Sequence, residues 1–474
     1  MIPQTRLPLC QKSPSSSVGL GLEWCRSRKA QGNERNGEVM KWRRRELLKH
    51  SSSLLVGTSV LHASGRWARA NDRIRVAVLG LGNRGRGHIR EAMAIDGVEV
   101  ATVCDPDESR MAKSAATLEK ATGRRPRLEP DLRKIMDDRD IDVISIATPN
   151  HWHALATIWA CQAGKHVYVE KPIAHNILES GRMLEAARKY DRIVATGTQR
   201  RSNPNFRKAI RMLQEGAIGE IYMARSEYAQ PRDPIGFEKT GPPPTGLDWD
   251  LWLGPASKQS YHANLVHYNW HWFWDFGNGE IGNNGPHFLD IPRWALKKQL
   301  PTRIHSTGGR VGPRDQAQTP NTQRTTFVYE DGISIINDIR GLYTGENFFW
   351  EFYGSKGYMR MTHSSRDFAG CEFKIFMGRN KIPEKDTNAP ATGQREDHYR
   401  NFIASVRAGK REMLNSDLEE GHFSGGLCLL ANISYRLGRE LSFDPAASRF
   451  IADSEADELL TRNYRQPFVV PDRV

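Results

Sequence analysis

Lys171 stands directly after the run His166-Val167-Tyr168-Val169-Glu170, about 85 residues downstream of Gly80-x-Gly82-x-x-Gly85. Both features close an apolar, β-branched stretch, so both belong at the C-terminal end of a strand. In an open α/β sheet that edge is where a bound molecule lies. The three glycines have separate physical tasks: Gly80 permits the tight turn, Gly82 lets a pyrophosphate approach the backbone, and Gly85 lets the following helix pack closely. The N-terminus of that helix then faces the anion. A dinucleotide held there sets its nicotinamide further along the same edge. A lysine at the end of a later strand stands beside that ring, where its charge polarises a substrate oxygen. The chemistry implied is hydride transfer.

A second apolar run, residues 98–104, ends at Asp105, 20 residues after Gly85. A carboxylate at this place accepts hydrogen bonds from the adenosine ribose hydroxyls and repels a 2′-phosphate. NAD is therefore expected rather than NADP, although Arg84 and Arg86 blur that distinction.

These residues need a scaffold, and the pattern supplies one. Helices are expected over 87–95, 108–122, 131–136, 152–163 and 177–188, and strands over 73–79, 98–104, 142–147, 166–169 and 192–195. Strands alternating with helices imply a doubly wound parallel sheet. Beyond residue 219 the rhythm changes. Strand-like segments at 220–228, 303–308, 324–329, 333–338, 347–353, 358–362 and 372–376 are separated, in the later part, by tight turn signals such as Glu330-Asp331-Gly332. That pattern predicts an α+β domain with a largely antiparallel open sheet. Residues 230–247, with five prolines and three glycines, read as a long loop. Helices over 396–408 and 424–436 are expected to pack back on the body. The expected boundaries are 71–195 for the Rossmann domain, 196–445 for the second domain and 446–474 for a C-terminal tail.

The net charge of +13 is uneven: residues 1–70 carry 13 Lys/Arg against 4 Asp/Glu, and residues 71–474 carry 55 against 51. A near-neutral body offers no nucleic-acid footprint. The six cysteines have no CxxC or metal-type spacing, so no metal site is expected. Arg43-Arg44-Arg45-Glu46-Leu47-Leu48-Lys49 resembles the twin-arginine export consensus. A weakly apolar stretch over 51–63 follows, too short and polar to span a bilayer, and then Ala68-Arg69-Ala70, an A-x-A cleavage pattern. Residues 40–70 are thus expected to be an export signal recognised by the Tat machinery, with a periplasmic or otherwise exported product. Residues 1–39 read as an extension ahead of a start at Met40.

In order along the chain, the GxGxxG turn, Thr148-Pro149-Asn150-x-x-His153, Gly164-Lys165-His166-Val167, Glu170-Lys171-Pro172, Gly216-x-x-Gly219-Glu220-Ile221 and Gly285-x-His287-x-x-Asp290 together resemble the Gfo/Idh/MocA oxidoreductases (glucose–fructose oxidoreductase, inositol dehydrogenase and MocA-type proteins). The resemblance covers about residues 73–440. It implies that Gly80, Gly82, Asn83, Arg84, Gly85, Asp105, Thr148, Pro149, Asn150, His153, Glu170 and Lys171 hold NAD. It implies that Lys171 touches both nicotinamide and substrate, that His287 is the acid/base residue, and that Arg200 meets the substrate. Many members carry Asp four residues before this histidine. Here that position is Asn283, which can orient a ring or a substrate but holds no charge. Asp275 and Glu280 are candidates to compensate.

Six of the 12 tryptophans lie between Trp249 and Trp294. Aromatic faces stack on the C–H faces of sugars, so His267, Tyr268, Trp270 and His271 read as parts of a carbohydrate-binding lip; domain packing is the competing reading. The expected substrate is a sugar, cyclitol or glycoside, oxidised at a secondary hydroxyl. A glycosidase or lyase with transient oxidation, a sugar–sugar transfer with retained cofactor and a non-catalytic dinucleotide-binding partner are the alternatives. No membrane insertion is expected, and assembly as a homo-dimer or homo-tetramer is.

Overall fold

The computed structural model describes residues 73–345, 348–363, 371–379, 382–383 and 395–474, so the expected export signal and the extension ahead of it lie outside the described residues. The first sheet contains β1 (Ile74–Leu79), β2 (Val98–Cys104), β3 (Arg127–Leu128), β4 (Val143–Ile146), β5 (His166–Val169) and β6 (Val194–Thr196). All its pairings are parallel and its order is β3-β2-β1-β4-β5-β6. The interleaved helices are α1 (Asn83–Met93), α2 (Glu108–Thr122), α3 (Arg133–Met136), α4 (Asn150–Gln162) and α5 (Ile177–Lys189). The order of connection reverses between β1 and β4, and a crevice opens there at the strands' C-terminal ends. β1 is buried along its length except for Arg75, as expected of a central parallel strand covered on both faces. α1 starts four residues earlier than its sequence pattern suggests. Gly85 and Gly87 are poor helix formers, but both are buried against the sheet, and packing overrides propensity.

After α6 (Pro204–Gln214) the chain enters β7 (Ile221–Ala229), then α7 (Trp249–Leu253) and α8 (Gly279–Leu296). There follow β8 (Arg303–Gly309), β9 (Thr322–Val328), β10 (Ser334–Arg340), β11 (Phe348–Gly354), β12 (Gly357–His363), β13 (Cys371–Met377) and β14 (Ile382–Pro383). α9 (Arg395–Ala408), α10 (Leu418–Leu437), β15 (Leu441–Asp444), β16 (Arg449–Phe450) and α11 (Ser454–Glu458) complete the chain. The second sheet has ten strands in the order β14-β13-β12-β11-β7-β10-β9-β8-β15-β16. It is antiparallel except at β7–β10, which pair in parallel from Met223–Ser334 to Ala229–Arg340. A parallel pair needs a long crossover, and the excursion through α8 provides it. α8 packs on this sheet through Phe288, whose ring stacks on Trp350 at 4.7 Å while its carbonyl accepts from Trp350 Nε1 at 3.0 Å. α10 lies beside α8, so close that a Cβ on Gly285 would stand 2.9 Å from Cys428 Sγ.

Residues 446–474 are not a loose tail. β16 pairs with β15, and Phe468 is buried edge-on against Trp152 of α4 at 5.3 Å. α9 likewise places Tyr399 and Phe402 in the core beneath the first sheet, 4.9 and 5.6 Å from Tyr168.

Candidate active site

The three glycines of the turn meet three different surroundings. Gly80 has φ +81°, and a Cβ on it would lie 2.6 Å from the Ala147 carbonyl oxygen. A Cβ on Gly85 would lie 1.8 Å from the Gly80 carbonyl oxygen, so Gly85 is fixed by helix–turn packing. At Gly82 the nearest atom would be Arg110 Nη1 at 3.6 Å, which leaves the backbone open on the cleft side. α1 and α4 start here without a side-chain cap, whereas Asp107, Asn176 and Asn203 cap α2, α5 and α6. The uncapped N–H groups form an electropositive rim suited to an anion.

Asp105 ends β2 at the same rim. Its carboxylate accepts from Leu81 N at 2.7 Å and Asp107 N at 3.0 Å, and burial pushes its pKa up to about 6 against those two bonds. Across the crevice Thr148 Oγ1 and Asn150 Oδ1 are buried without a hydrogen-bond partner among the described residues. Buried polar groups are rarely left so, and both line the cleft. An open glycine, two uncapped helix starts, a ribose-type carboxylate and two orphaned polar atoms fit a nicotinamide dinucleotide.

The cleft has a volume of about 400 Å³ and runs from Asp105 and Arg110 past Gly80, Gly82, Asn83 and Arg84 to Thr148, Pro149, Asn150, His153, Glu170 and Lys171. Gly85 lies beneath it. Arg84 is already engaged: its guanidinium bonds Glu91 at 2.7 Å and Glu170 at 2.5 Å. Glu170 also meets His88 Nε2 at 3.1 Å and accepts from Gln199 Nε2 at 3.0 Å. Burial alone would raise its pKa, but the Arg84 charge and the His88 contact hold it well below the usual carboxylate range. Arg84 and Glu170 therefore lock the glycine turn to the turn that carries Lys171. His153 ties the same turn to its neighbour, with Nδ1 2.7 Å from the Pro172 carbonyl and Nε2 2.8 Å from that of Thr148.

At the inner end α8 presents Asn283 and His287, one turn apart on one face, to Lys171. Lys171 Nζ donates to the Asn283 main-chain oxygen and stands 3.4 Å from Asn283 Oδ1. Asn283 Nδ2 points to the Tyr268 hydroxyl at 3.5 Å. The amide is thereby oriented, oxygen to lysine and nitrogen to tyrosine. Burial lowers the Lys171 pKa, opposed by the negative charge of Glu170. His271 stacks on Trp270 at 3.6 Å with Nδ1 2.6 Å from the Tyr268 carbonyl, and burial holds its pKa down to about 3.

Two expected substrate contacts fall elsewhere. Arg200 does not line the cleft: it is buried with its guanidinium over the rings of Phe288 (4.6 Å) and Trp350 (5.1 Å). Cation–π packing in the second domain's core captured it, and its neighbour Gln199 lines the cleft instead. His267 does line the cleft, but at the opposite end from Lys171, 3.0 Å from Asp107 Oδ2. The aromatic stretch serves two purposes. Trp252, Trp270, Trp272, Phe273 and Phe276 belong to one buried cluster; Trp252 and Trp270 also reach the cleft lining, together with Tyr268 and His271. Both proposed compensating carboxylates have partners elsewhere: Glu280 pairs with Arg232 at 3.0 Å and Asp275 accepts from Gln259 at 2.9 Å. Arg110 and Asn284, also in the lining, carry no motif; the only hint of Arg110 is its place one turn into the helix after Asp105.

The profile described as "Oxidoreductase family, NAD-binding Rossmann fold" (GFO_IDH_MocA) matches residues 74–198, and "Oxidoreductase family, C-terminal alpha/beta domain" (GFO_IDH_MocA_C2) matches residues 237–470. Levoglucosan dehydrogenase of Pseudarthrobacter phenanthrenivorans is 26% identical over 258 residues, 50% of this chain and 59% of that protein. Inositol 2-dehydrogenase 2 of Saccharopolyspora erythraea is 28% identical over 288 residues, 58% of this chain and 71% of that protein. A glycosyl hydrolase family 109 protein of Shewanella pealeana is 27% identical over 165 residues, 33% of this chain and 35% of that protein. Among solved structures, the aldose-aldose oxidoreductase from Caulobacter crescentus superposes with a TM-score of 0.60 at 17% identity, covering 78% of this chain and 100% of that one, a likeness of fold. With both domains matched in order, and the glycine turn and Lys171 at one cleft, the chain belongs to the Gfo/Idh/MocA oxidoreductase family.

Proposed function

We propose that this protein is an NAD-dependent oxidoreductase that takes hydride from a secondary hydroxyl of a sugar, cyclitol or glycoside. The observation that carries this reading is the meeting of Lys171, Asn283 and His287 at the inner end of a cleft whose outer end holds the glycine turn and Asp105. When bound, the nicotinamide dinucleotide supplies the hydride acceptor. The chain's own residues do the rest. Lys171 presents a partly buried positive charge to the substrate oxygen and stabilises negative charge as it develops there. His287 takes the hydroxyl proton, a task suited to imidazole near neutral pH. Asn283 fixes the position of Lys171 and offers polar atoms to neighbouring hydroxyls. Tyr268 and Trp270 provide flat surfaces for the ring. The names of the relatives, dehydrogenases of levoglucosan and inositol, support a hydroxyl-rich ring as substrate.

The glycosyl hydrolase name among the relatives supports a second reading, a glycosidase or lyase in which the sugar is oxidised and re-reduced while the cofactor is recycled in place. A transfer between two sugars meets the same requirement. Export by the twin-arginine route, proposed from Arg44-Arg45 and Ala68-Arg69-Ala70, favours either of these, because the periplasm has no free NAD pool. Assembly as a homo-dimer or homo-tetramer is part of the proposal. Purified protein incubated with NAD and a panel of sugars and glycosides separates the readings. NADH formed in solution marks a dehydrogenase, cleavage without net NADH marks a glycosidase or lyase, and oxidised and reduced sugars formed together mark a transfer. Bound NAD with none of these products would sink the enzyme reading.

A further inference from the structure

Residues 246–271 leave the second domain and form the cleft wall that faces the glycine turn, with Leu251, Trp252, His267, Tyr268, Trp270 and His271 in the lining. The crossing is anchored along its length. At its start Glu108 N donates to the Gly246 carbonyl and Asp248 N to the Pro106 carbonyl, each at 2.9 Å, around an antiparallel bridge between Asp107 and Leu247. In the middle the Trp252 carbonyl accepts from Trp152 Nε1 at 3.2 Å and lies 3.1 Å from His151 Nε2. Near its end His267 Nε2 returns to Asp107 Oδ2 at 3.0 Å. The first and last anchors thus fall on one turn of the Rossmann domain, two residues beyond Asp105. A dinucleotide seated with its ribose on Asp105 is enclosed between that turn and a segment tied to it twice.

We propose that residues 246–271 are a strap that slows escape of the dinucleotide, with the His267–Asp107 pair as its latch. This rests on the NAD reading of the cleft. The strap couples release to local opening: while the anchors hold, the strap obstructs the adenosine end, so escape quickens as the open fraction rises. The two main-chain bonds keep the strap's entry in place, and the latch is the side-chain contact whose loss frees its far end. His267 is about one-third exposed, so the pair is partly screened, and its removal is expected to speed release on the order of tenfold.

The test uses the full chain loaded with NADH, its release followed by nucleotide fluorescence after addition of excess NAD. His267→Ala is expected to release NADH on the order of tenfold faster than wild type. Asp107→Asn keeps an acceptor to cap α2 but weakens the latch, and is expected to fall between the two. Release from both variants at the wild-type rate, with NADH still bound, overturns the strap and leaves the NAD reading standing. Failure of the wild-type chain to bind NADH at all overturns the NAD reading itself.

Discussion

Replacing Asn283 by Asp puts a carboxylate where the amide oxygen now stands, 3.4 Å from Lys171 Nζ. At that distance, with an effective permittivity of about 20, the attraction is on the order of 5 kcal/mol. Burying the new carboxylate costs several kcal/mol, so the net effect on Lys171 is roughly 1–2 kcal/mol, on the order of one pKa unit. The sign follows from the charges. A neighbouring anion favours the protonated forms of both Lys171 and His287, and so raises both pKa values. A base must be neutral to act, so activity on the acid side is lost at a higher pH. A charged lysine survives to higher pH, so the alkaline limb moves up as well. The whole profile shifts to higher pH, while the maximum rate falls by no more than about tenfold, because the lysine's charge is now partly neutralised. The assay is kcat/KM against pH on any substrate found to turn over, with Asn283→Ala as the uncharged control. Unchanged limbs in Asn283→Asp, or the same shift in Asn283→Ala, would refute the placement of Lys171 against this amide.

Lys171→Ala and His287→Ala are each expected to remove most turnover while NADH binding, followed by fluorescence titration, persists; for His287 the loss should be about 10²–10⁴-fold. If His287→Ala keeps its rate, the base lies elsewhere and His271 becomes the next candidate. Asp105→Ser is expected to weaken discrimination against NADP by roughly 1–3 kcal/mol, read from the ratio of the two dissociation constants; an unchanged ratio would mean that the ribose lies elsewhere. Arg84→Gln leaves the buried carboxylates of Glu91 and Glu170 without their cation and should cost about 3–5 kcal/mol, read from chemical unfolding. The depressed pKa of Glu170 stabilises the wild type above the ordinary carboxylate pKa, and that contribution is lost as pH falls through the depressed value; Arg84→Gln should flatten this acid-side dependence.

Much of the first domain was legible because its signals are local. The turn glycines, Asp105 and Lys171 each sit at a strand end that the hydrophobic run itself marks, and α2 fell on the expected residues, 108–122. What escaped is set by contacts far apart in sequence. Nothing near Arg84 announces Glu170, 86 positions away, so Arg84 read as a cofactor contact although its guanidinium is committed to two carboxylates. Arg200 and Gln199 are adjacent, yet one faces rings of the second domain's core and the other the cleft, a choice made by how the short 3-10 turn Gln199–Ser202 lands. The parallel pairing of β7 with β10 depends on a crossover of about a hundred residues. The aromatic stretch defeated a single reading because its periodicity is irregular: Trp252 and Trp272 are buried, while Tyr268 between them is 46% exposed.

The charges around Lys171 explain why an amide suits position 283. Behind the lysine, Arg84 is shared by Glu91 and Glu170, and His88 and Gln199 also address the Glu170 carboxylate, so little of that carboxylate faces the cleft. On the other side Glu280 is engaged by Arg232. Taken as charges, Arg84 and Lys171 balance Glu91 and Glu170, but the partner carboxylates lie on the Rossmann side and the lysine ammonium lies at the cleft. A carboxylate at 283 would partly neutralise that charge before a substrate arrived. Asn283 instead holds the ammonium through two oxygen atoms, its main-chain carbonyl and its amide, and leaves it uncancelled. A site built this way favours a step in which an oxygen beside Lys171 becomes negative. Loss of hydride from an alcohol whose proton has passed to His287 is such a step, and the enolate formed when a transiently oxidised sugar loses a neighbouring proton is another. The electrostatics therefore fit both a dehydrogenase and a glycosidase or lyase, and the rate at which the strap lets NADH go is the property that divides them.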